Sequence, residues 1–244
     1  MDIRILDDAD AVAEEAAARV SARIVARPDA AIAVPTGLTP VGMYRRLVDA
    51  HRAGRVDLGQ VRWFALDEFL GVPASHPGSF RRWLMERLIL PAGLSAERLC
   101  SLRGDAPDPV AEAAAYEARI RDAGGLELAV LGLGRNGHLA FNEPGTGPDS
   151  AAGPRLLTAA TREANAYLFA DGEVPTHGFS MGLGGLAAAR RLLLLATGTS
   201  KAATVRLMTE RSTSVSACPA ALLRDHPDAV VLLDAEAAAL LDGD

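Results

Sequence analysis

Apolar positions along the chain follow two periods. In ADAVAEEAAARVSARIVA (9–26), PVGMYRRLVDAHRAG (40–54) and SKAATVRLMTE (200–210) they recur every three or four residues, which predicts helices. Similar patterns predict helices over 78–90, 109–123, 159–169 and 183–189, and a short one over 236–241. Between them lie short, nearly continuous apolar runs: AAIAV (30–34), VRWFAL (61–66), LELAVLGL (126–133), RRLLLLAT (190–197) and DAVVLLD (228–234). Strands that are apolar throughout, rather than alternating, are strands buried on both faces.

Alternating helices and buried strands predict an α/β fold, a Rossmann-like three-layer sandwich with a mostly parallel sheet flanked by helices. No internal repeat or linker interrupts the pattern, so one domain over 1–244 is expected. The Gly/Pro-rich stretch 143–158 (EPGTGPDSAAGPRLLT) reads as a loop or lid.

In such sheets ligands bind at the carboxyl ends of the strands. Four loops there share Gly, Thr, Ser, Asp, Asn, His and Lys: PTGLTP (35–40), DEFLGVPASHPGS (67–79), GRNGHLAFNEPG (134–145) and TGTSK (197–201). PTGLTP and TGTSK lead from strands into helices, whose first N–H groups favour anions. PTGLTP fits equally a plain turn with Thr39 as N-cap. Lys201 sits at a helix start, where a cation opposes the helix dipole, and this suggests a phosphate partner. Asp67 and Glu68 suit a general base, a metal ligand or, most commonly, the cap of a short turn. His138 lies five residues before Glu143, between glycines that permit close approach of backbone to a ligand. A carboxylate on one imidazole nitrogen fixes the tautomer and suits proton transfer near neutral pH. His76 reads as a loop or cap residue, and His51, His177 and His226 as structural.

Composition narrows the function classes. The chain has 244 residues, 49% of them apolar and 23% charged, with net charge −6 and pI near 5.4. No Lys/Arg run marks a nucleic-acid surface. Cys100 and Cys218 are far apart, so no disulfide framework or Cys metal site is expected, and both read as small buried hydrophobes in a reducing compartment. The N-terminus does not read as a signal peptide, and no apolar stretch reaches the ~20 residues of a membrane span. A cytoplasmic protein without membrane partners is expected. Walker A spacing, a G-x-S-x-G elbow and metal-ligand spacing are all missing, and GLGRNG (132–137) does not open a helix as a dinucleotide fingerprint would. The residues alone thus point to a cofactor-free enzyme doing acid–base chemistry on a small anion.

Taken together, PTGLTPVGMYRRL, ALDEFLGVPASHPGSF, LGLGRNGHLAFNEPG and TGTSKA resemble, in order and spacing, the signature segments of the glucosamine-6-phosphate deaminase family, within the glucosamine-6-phosphate isomerase/6-phosphogluconolactonase superfamily. The resemblance implies a deaminating aldose–ketose isomerisation. The sugar ring opens, a proton moves from C2 to C1 through an enolamine, and ammonia leaves by hydrolysis to give fructose 6-phosphate. It implies Asp67 as the enolisation base, His138 as the ring-opening base with Glu143 as its partner, and Asn136 as a further ring-opening residue. Its implied substrate-binding set is Thr36, Gly37, Leu38, Thr39, Glu68, Gly137, Tyr167 and Lys201, with no metal and no cofactor. The chain length resembles the family's shorter members, so no allosteric site of the longer members' kind is expected. The implied partner is an amino sugar phosphate, and a homo-oligomer is allowed because family members commonly assemble.

Three positions depart from the family pattern. Asn136 stands where some members have Asp, and should orient His138 by a hydrogen bond without adding charge. Leu38 replaces a small residue. Tyr167 stands where an Arg is usual, and losing that charge-assisted phosphate contact should cost roughly 1.5–3 kcal/mol of binding unless Arg162 or Arg206 compensates. The departures raise one alternative, the same enolisation on a different amino sugar, phosphorylated or not; a sugar-phosphate lactonase of related fold and a non-catalytic sugar sensor of similar fold are the other readings. The DE and NEP segments favour the deaminase over the lactonase.

Overall fold

The computed structural model describes residues 1–169 and 172–241, so positions 170–171 and 242–244 of the expected 1–244 domain lie outside the described residues. In chain order the elements are β1 (Asp2–Leu6), α1 (Ala9–Ala26), β2 (Ala31–Val34), α2 (Val41–Arg52), β3 (Arg62–Ala65), β4 (Asp67–Phe69), α3 (Phe80–Leu84), β5 (Leu99–Cys100), α4 (Pro109–Asp122), β6 (Leu128–Gly132), β7 (Gly153–Leu156), α5 (Ala159–Ala164), β8 (His177–Ser180), α6 (Leu183–Ala187), β9 (Leu192–Ala196), α7 (Ala202–Thr209), α8 (Leu222–Asp225) and β10 (Ala229–Asp234).

Seven strands form one sheet in the order β1-β10-β9-β6-β2-β3-β5, and every neighbouring pair is parallel. Successive side chains of a strand point to opposite faces, so each strand feeds two cores. Ala129 and Leu131 of β6 pack among α4, α6 and α7, whereas Leu128 and Val130 pack under α1, α2 and α3. This is the three-layer sandwich that the apolar runs predict.

Local signals set the helix starts. Asp8 accepts from Ala11 N (2.8 Å) to begin α1, and Asp108, with Pro109 next, accepts from Val110 and Ala111 N to begin α4. Two expected helices are shorter than their patterns: α3 runs into a π turn over Met85–Ile89, and α5 ends before a 3₁₀ turn at Ala166–Leu168. The helix expected over 236–241 is a set of turns instead: Asp234 starts it as a cap would, but Ala239 N and Leu241 N then reach back only three residues, to Glu236 O (3.3 Å) and Ala238 O (2.9 Å).

Strands β4, β8 and β7 form a second, antiparallel sheet that the sequence pattern does not announce. They are three or four residues long and contain glycine, proline and charge, so pairing rather than side-chain pattern makes them strands. β7 lies within 143–158, which is therefore more than a loop or lid. This small sheet covers a cluster of Phe69, Phe80, Phe141, Leu157 and Phe169 beside the carboxyl ends of the main sheet.

Candidate active site

The chain leaves β3 through Leu66 and enters β4 at once, which puts Asp67 at the carboxyl end of the main sheet, opposite Ser180 of β8. Asp67 is buried, and no side-chain hydrogen bond reaches its carboxylate among the described residues. Burial pushes its carboxyl well above the ordinary value, and the neighbouring Glu68 charge adds to the rise. An unpaired carboxylate with its pKa raised in this way suits proton abstraction near neutral pH.

Ser180 ties this base to the histidine loop. Its Oγ accepts from Phe141 N (3.1 Å), and the next carbonyl, Met181 O, accepts from Asn142 Nδ2 (2.8 Å). Within the loop, Gly134 lets the imidazole lie against backbone: a Cβ there would stand 2.4 Å from three His138 ring atoms. Ala140 then adopts φ 52°, unusual for a residue with a side chain, and the chain turns so that Glu143 comes back toward His138. Glu143 Oε2 lies 3.5 Å from His138 Nδ1.

Glu143 is buried and richly supplied with donors. Oε1 accepts from Thr161 Oγ1 (2.5 Å), Thr158 Oγ1 (3.2 Å) and Thr158 N (3.3 Å), and Oε2 accepts from Asn136 Nδ2 (2.6 Å). Burial acts to raise its carboxyl, but the bonds from His138, Thr161 and Asn136 outweigh it and hold the carboxyl at about 2. It is therefore a carboxylate at every physiological pH.

Asn136 does not orient His138 as the sequence suggests. Its amide holds Glu143, and its Oδ1 accepts from the His138 backbone N (3.2 Å), so it acts on the imidazole through the carboxylate and the backbone.

At the anion end, Gly37 takes φ 95° and Gly198 φ 87°, conformations that suit glycine and turn the chain sharply into α2 and α7. Pro40 occupies the N-cap position of α2 rather than its first turn, and Thr39 makes no capping bond. α2 has no side-chain cap, which leaves N–H groups of its first turn for an anion, while α7 follows without a break from the 3₁₀ turn Thr199–Lys201, whose Thr199 carbonyl takes Ala202 N. Lys201 Nζ donates to Leu133 O (2.7 Å), joining the TGTSK loop to the histidine loop, and burial followed by the nearby Arg135 charge lowers its pKa.

Several expected substrate contacts prove to be otherwise engaged. Glu68 is buried, and its carboxylate accepts from Phe69 N, Phe80 N, Arg81 N and Ser79 Oγ at 2.7–3.0 Å; it clamps the start of α3 and has no lone pair turned to a ligand. Burial raises its pKa and those four donors offset part of the rise. Gly137 (φ 86°) is a packing requirement: a Cβ there would meet Cys218 Sγ at 2.4 Å. Leu38 is 80% exposed and Tyr167 is 59% exposed, and neither side chain makes a hydrogen bond among the described residues. Arg162 donates to Val174 O (3.3 Å) and Arg206 pairs with Glu210 (3.4 Å), so both proposed substitutes for the missing arginine are occupied elsewhere. Cys218 is buried as expected, but Cys100 is only partly so, with Arg119 Nε 3.2 Å from its sulfur. His226 and His51 hold backbone groups, and His76 accepts from Gly78 N (2.9 Å) and stacks on Phe169.

The sequence reading passed over Thr158, Thr161 and Ser180. Thr158 was findable as a Thr N-cap before AATREA, a role it fills by accepting from Thr161 N (3.2 Å). Thr161 and Ser180 carry no local signal, since their partners are distant in sequence.

Comparison with known proteins agrees with this geometry. The sequence profile described as glucosamine-6-phosphate isomerases/6-phosphogluconolactonase matches residues 7–232. A glucosamine-6-phosphate deaminase of Shewanella loihica is 43% identical over 242 residues, 99% of this chain and 90% of that one. A solved structure described as a monomeric glucosamine-6-phosphate deaminase superposes with TM-score 0.94 at 33% identity, covering 98% of this chain and 100% of that one. A 6-phosphogluconolactonase from Trypanosoma brucei shares the fold at TM-score 0.76 and 21% identity, over 98% of both chains. With a profile spanning nearly its whole length and a relative at this identity, the chain belongs to the glucosamine-6-phosphate isomerase/6-phosphogluconolactonase family.

Proposed function

We propose that the protein is a glucosamine-6-phosphate deaminase, converting an amino sugar phosphate to fructose 6-phosphate and ammonia. The observation that carries the reading is a buried, unpaired Asp67 carboxylate tethered through Ser180 and Met181 to a His138–Glu143 pair. The lactonase relative supports only the fold, whereas the relatives at higher identity are deaminases.

In this reading His138 moves a proton between the ring oxygen and the anomeric hydroxyl, breaking the C1–ring-oxygen bond. Glu143, charged throughout, stabilises the imidazolium that forms transiently. Asp67 then removes the C2 proton, giving the enolamine as the C1 oxygen gains a proton, and returns its proton to C1, giving an imine at C2; water adds at C2 and ammonia leaves. The phosphate sits between the first turn of α2 and the 197–201 loop, with Lys201 as the local cation and the 35–40 loop around it. The exposure of Leu38 and Tyr167 supports a second reading, in which the enolisation is retained but the phosphate end accepts a different amino sugar. Both readings treat 1–244 as one catalytic domain, supported by a sheet that draws strands from Asp2 to Asp234.

Proton NMR in D2O separates them. Loss of the C2–H signal with fructose 6-phosphate formed from glucosamine 6-phosphate alone, and not with Asp67→Asn, supports the deaminase. Exchange on glucosamine supports the second reading. No exchange on either sugar overturns the assignment.

A further inference from the structure

We propose that Thr161 is a positioning residue for the histidine: its hydroxyl bridges the imidazole and Glu143 and fixes the tautomer in which Nδ1 carries the proton and Nε2 is the base. The consequence for catalysis rests on the deaminase reading; the tautomer itself does not.

The direct contact between His138 Nδ1 and Glu143 Oε2, at 3.5 Å, is long for a hydrogen bond. Thr161 Oγ1 stands beside it as a second acceptor at nearly the same distance. It lies 2.5 Å from Glu143 Oε1 and 3.4 Å from His138 Nδ1, and the residue is buried. A hydroxyl has one proton and two lone pairs. The proton goes to the carboxylate, which can only accept. The lone pairs then face the imidazole Nδ1 and Thr158 Oγ1, which lies 3.1 Å away. A lone pair on Nδ1 would meet the Glu143 carboxylate on one side and a hydroxyl already committed to that carboxylate on the other. A proton on Nδ1 meets two acceptors. The donor–acceptor count therefore selects Nδ1–H.

The rest of the environment agrees. Nε2 has no hydrogen-bond partner among the described residues, and Gly134 keeps the space beside it clear. Thr158 N (3.3 Å) and the Thr161 hydroxyl together hold Oε1, so that Oε2 is the oxygen turned to His138 and Asn136. Thr161 belongs to α5, outside the loop that carries His138 and Glu143, so the pair is completed by an element some twenty residues further along the chain.

The test uses the full chain with 15N-labelled histidine, His138 being assigned by its loss in His138→Gln. At a pH where the imidazole is neutral, wild type should show a protonated Nδ1 and an unprotonated Nε2. In Thr161→Val, which keeps the shape and removes the hydroxyl, the two 15N shifts should converge as the tautomers mix. With glucosamine 6-phosphate, kcat should fall about tenfold, part of the ~10²–10⁴ that a placed acid–base group supplies, while KM stays within about twofold. Thr161→Ser should restore both readouts. A wild-type Nε2–H tautomer overturns the proposal without any variant, so it remains testable should Thr161→Val fail to fold. Unchanged 15N shifts in Thr161→Val, or loss of activity in Thr161→Val and Thr161→Ser alike, would also overturn it. If wild type does not turn over glucosamine 6-phosphate, the deaminase reading fails, while the 15N shifts still decide the tautomer.

Discussion

Replacing Glu143 with Gln tests the electrostatics of the site at their strongest point. The folded carboxyl titrates at about 2, against an ordinary value of 4.5. Because its pKa is depressed, the charged form stabilises the fold at pH above 4.5, and that contribution disappears as the pH falls through 4.5 toward 2. The difference between the two values corresponds to about 3 kcal/mol at neutral pH. Gln is the same size but carries an NH2 in place of one oxygen. That NH2 must face either Asn136 Nδ2 and His138 Nδ1 or the hydroxyls of Thr158 and Thr161. The threonine hydroxyls can rotate their protons away, leaving only the Thr158 N contact (3.3 Å) opposed, so the amide should settle with its oxygen toward Asn136. Urea unfolding of both proteins between pH 7 and pH 3 is the assay. Glu143→Gln should be about 3 kcal/mol less stable at pH 7, equivalent to a Tm lower by roughly 6–12 °C for a chain of this size. The difference should shrink to less than half of its neutral-pH value by pH 3, where the folded carboxyl is still mostly charged and the unfolded one is not. A stability difference that stays constant from pH 7 to pH 3 would refute the reasoning, since it would mean that packing and not charge was lost.

Three further substitutions probe the rest of the site. Asp67→Asn should abolish C2–H exchange, a fall of at least ~10²-fold, yet raise thermal stability. The raised pKa of Asp67 means that its charged form opposes folding, so the gain should be largest at neutral pH and vanish below the ordinary carboxyl value; equal Tm values at pH 7 would count against it. Gly134→Ala places a Cβ 2.4 Å from the imidazole and should lower kcat about tenfold or more with the circular dichroism unchanged, and wild-type kcat would show that the ring position is immaterial. Lys201→Met should raise KM for glucosamine 6-phosphate about tenfold by removing a charged partner, with little change for glucosamine; an equal effect on both sugars would place Lys201 away from the phosphate.

Much of this protein was legible in the order of its residues. Helix α1 occupies the residues its pattern marks, because Asp8 caps it and its alanines bury one face. The central strands are apolar runs, and apolar runs with helices between them have few ways to fold other than a covered parallel sheet. That sheet gathers the loops after its strands at one edge, so residues 35–40, 67–68, 134–145 and 197–201 could be grouped before any coordinate was known. Side-chain roles inside the group were harder. Glu68 and Asp67 are adjacent in sequence and alike in chemistry. One is satisfied by four donors from its neighbour Phe69 and the start of α3, whereas the other has none, and only the approach of that helix separates them.

The sequence by itself determined the layer architecture, the loops that carry chemistry and the pairing of His138 with Glu143, because each depends on local periodicity or on residues a few positions apart. The tertiary structure alone decided which groups are paired and which are left unpaired. Thr161 meets Glu143 across eighteen positions and Ser180 meets Phe141 across thirty-nine, while Asn136 turns to the carboxylate instead of the imidazole. Hydrogen bonds and desolvation act over a few ångströms in space, and no periodicity along the chain records which distant residues arrive within that range.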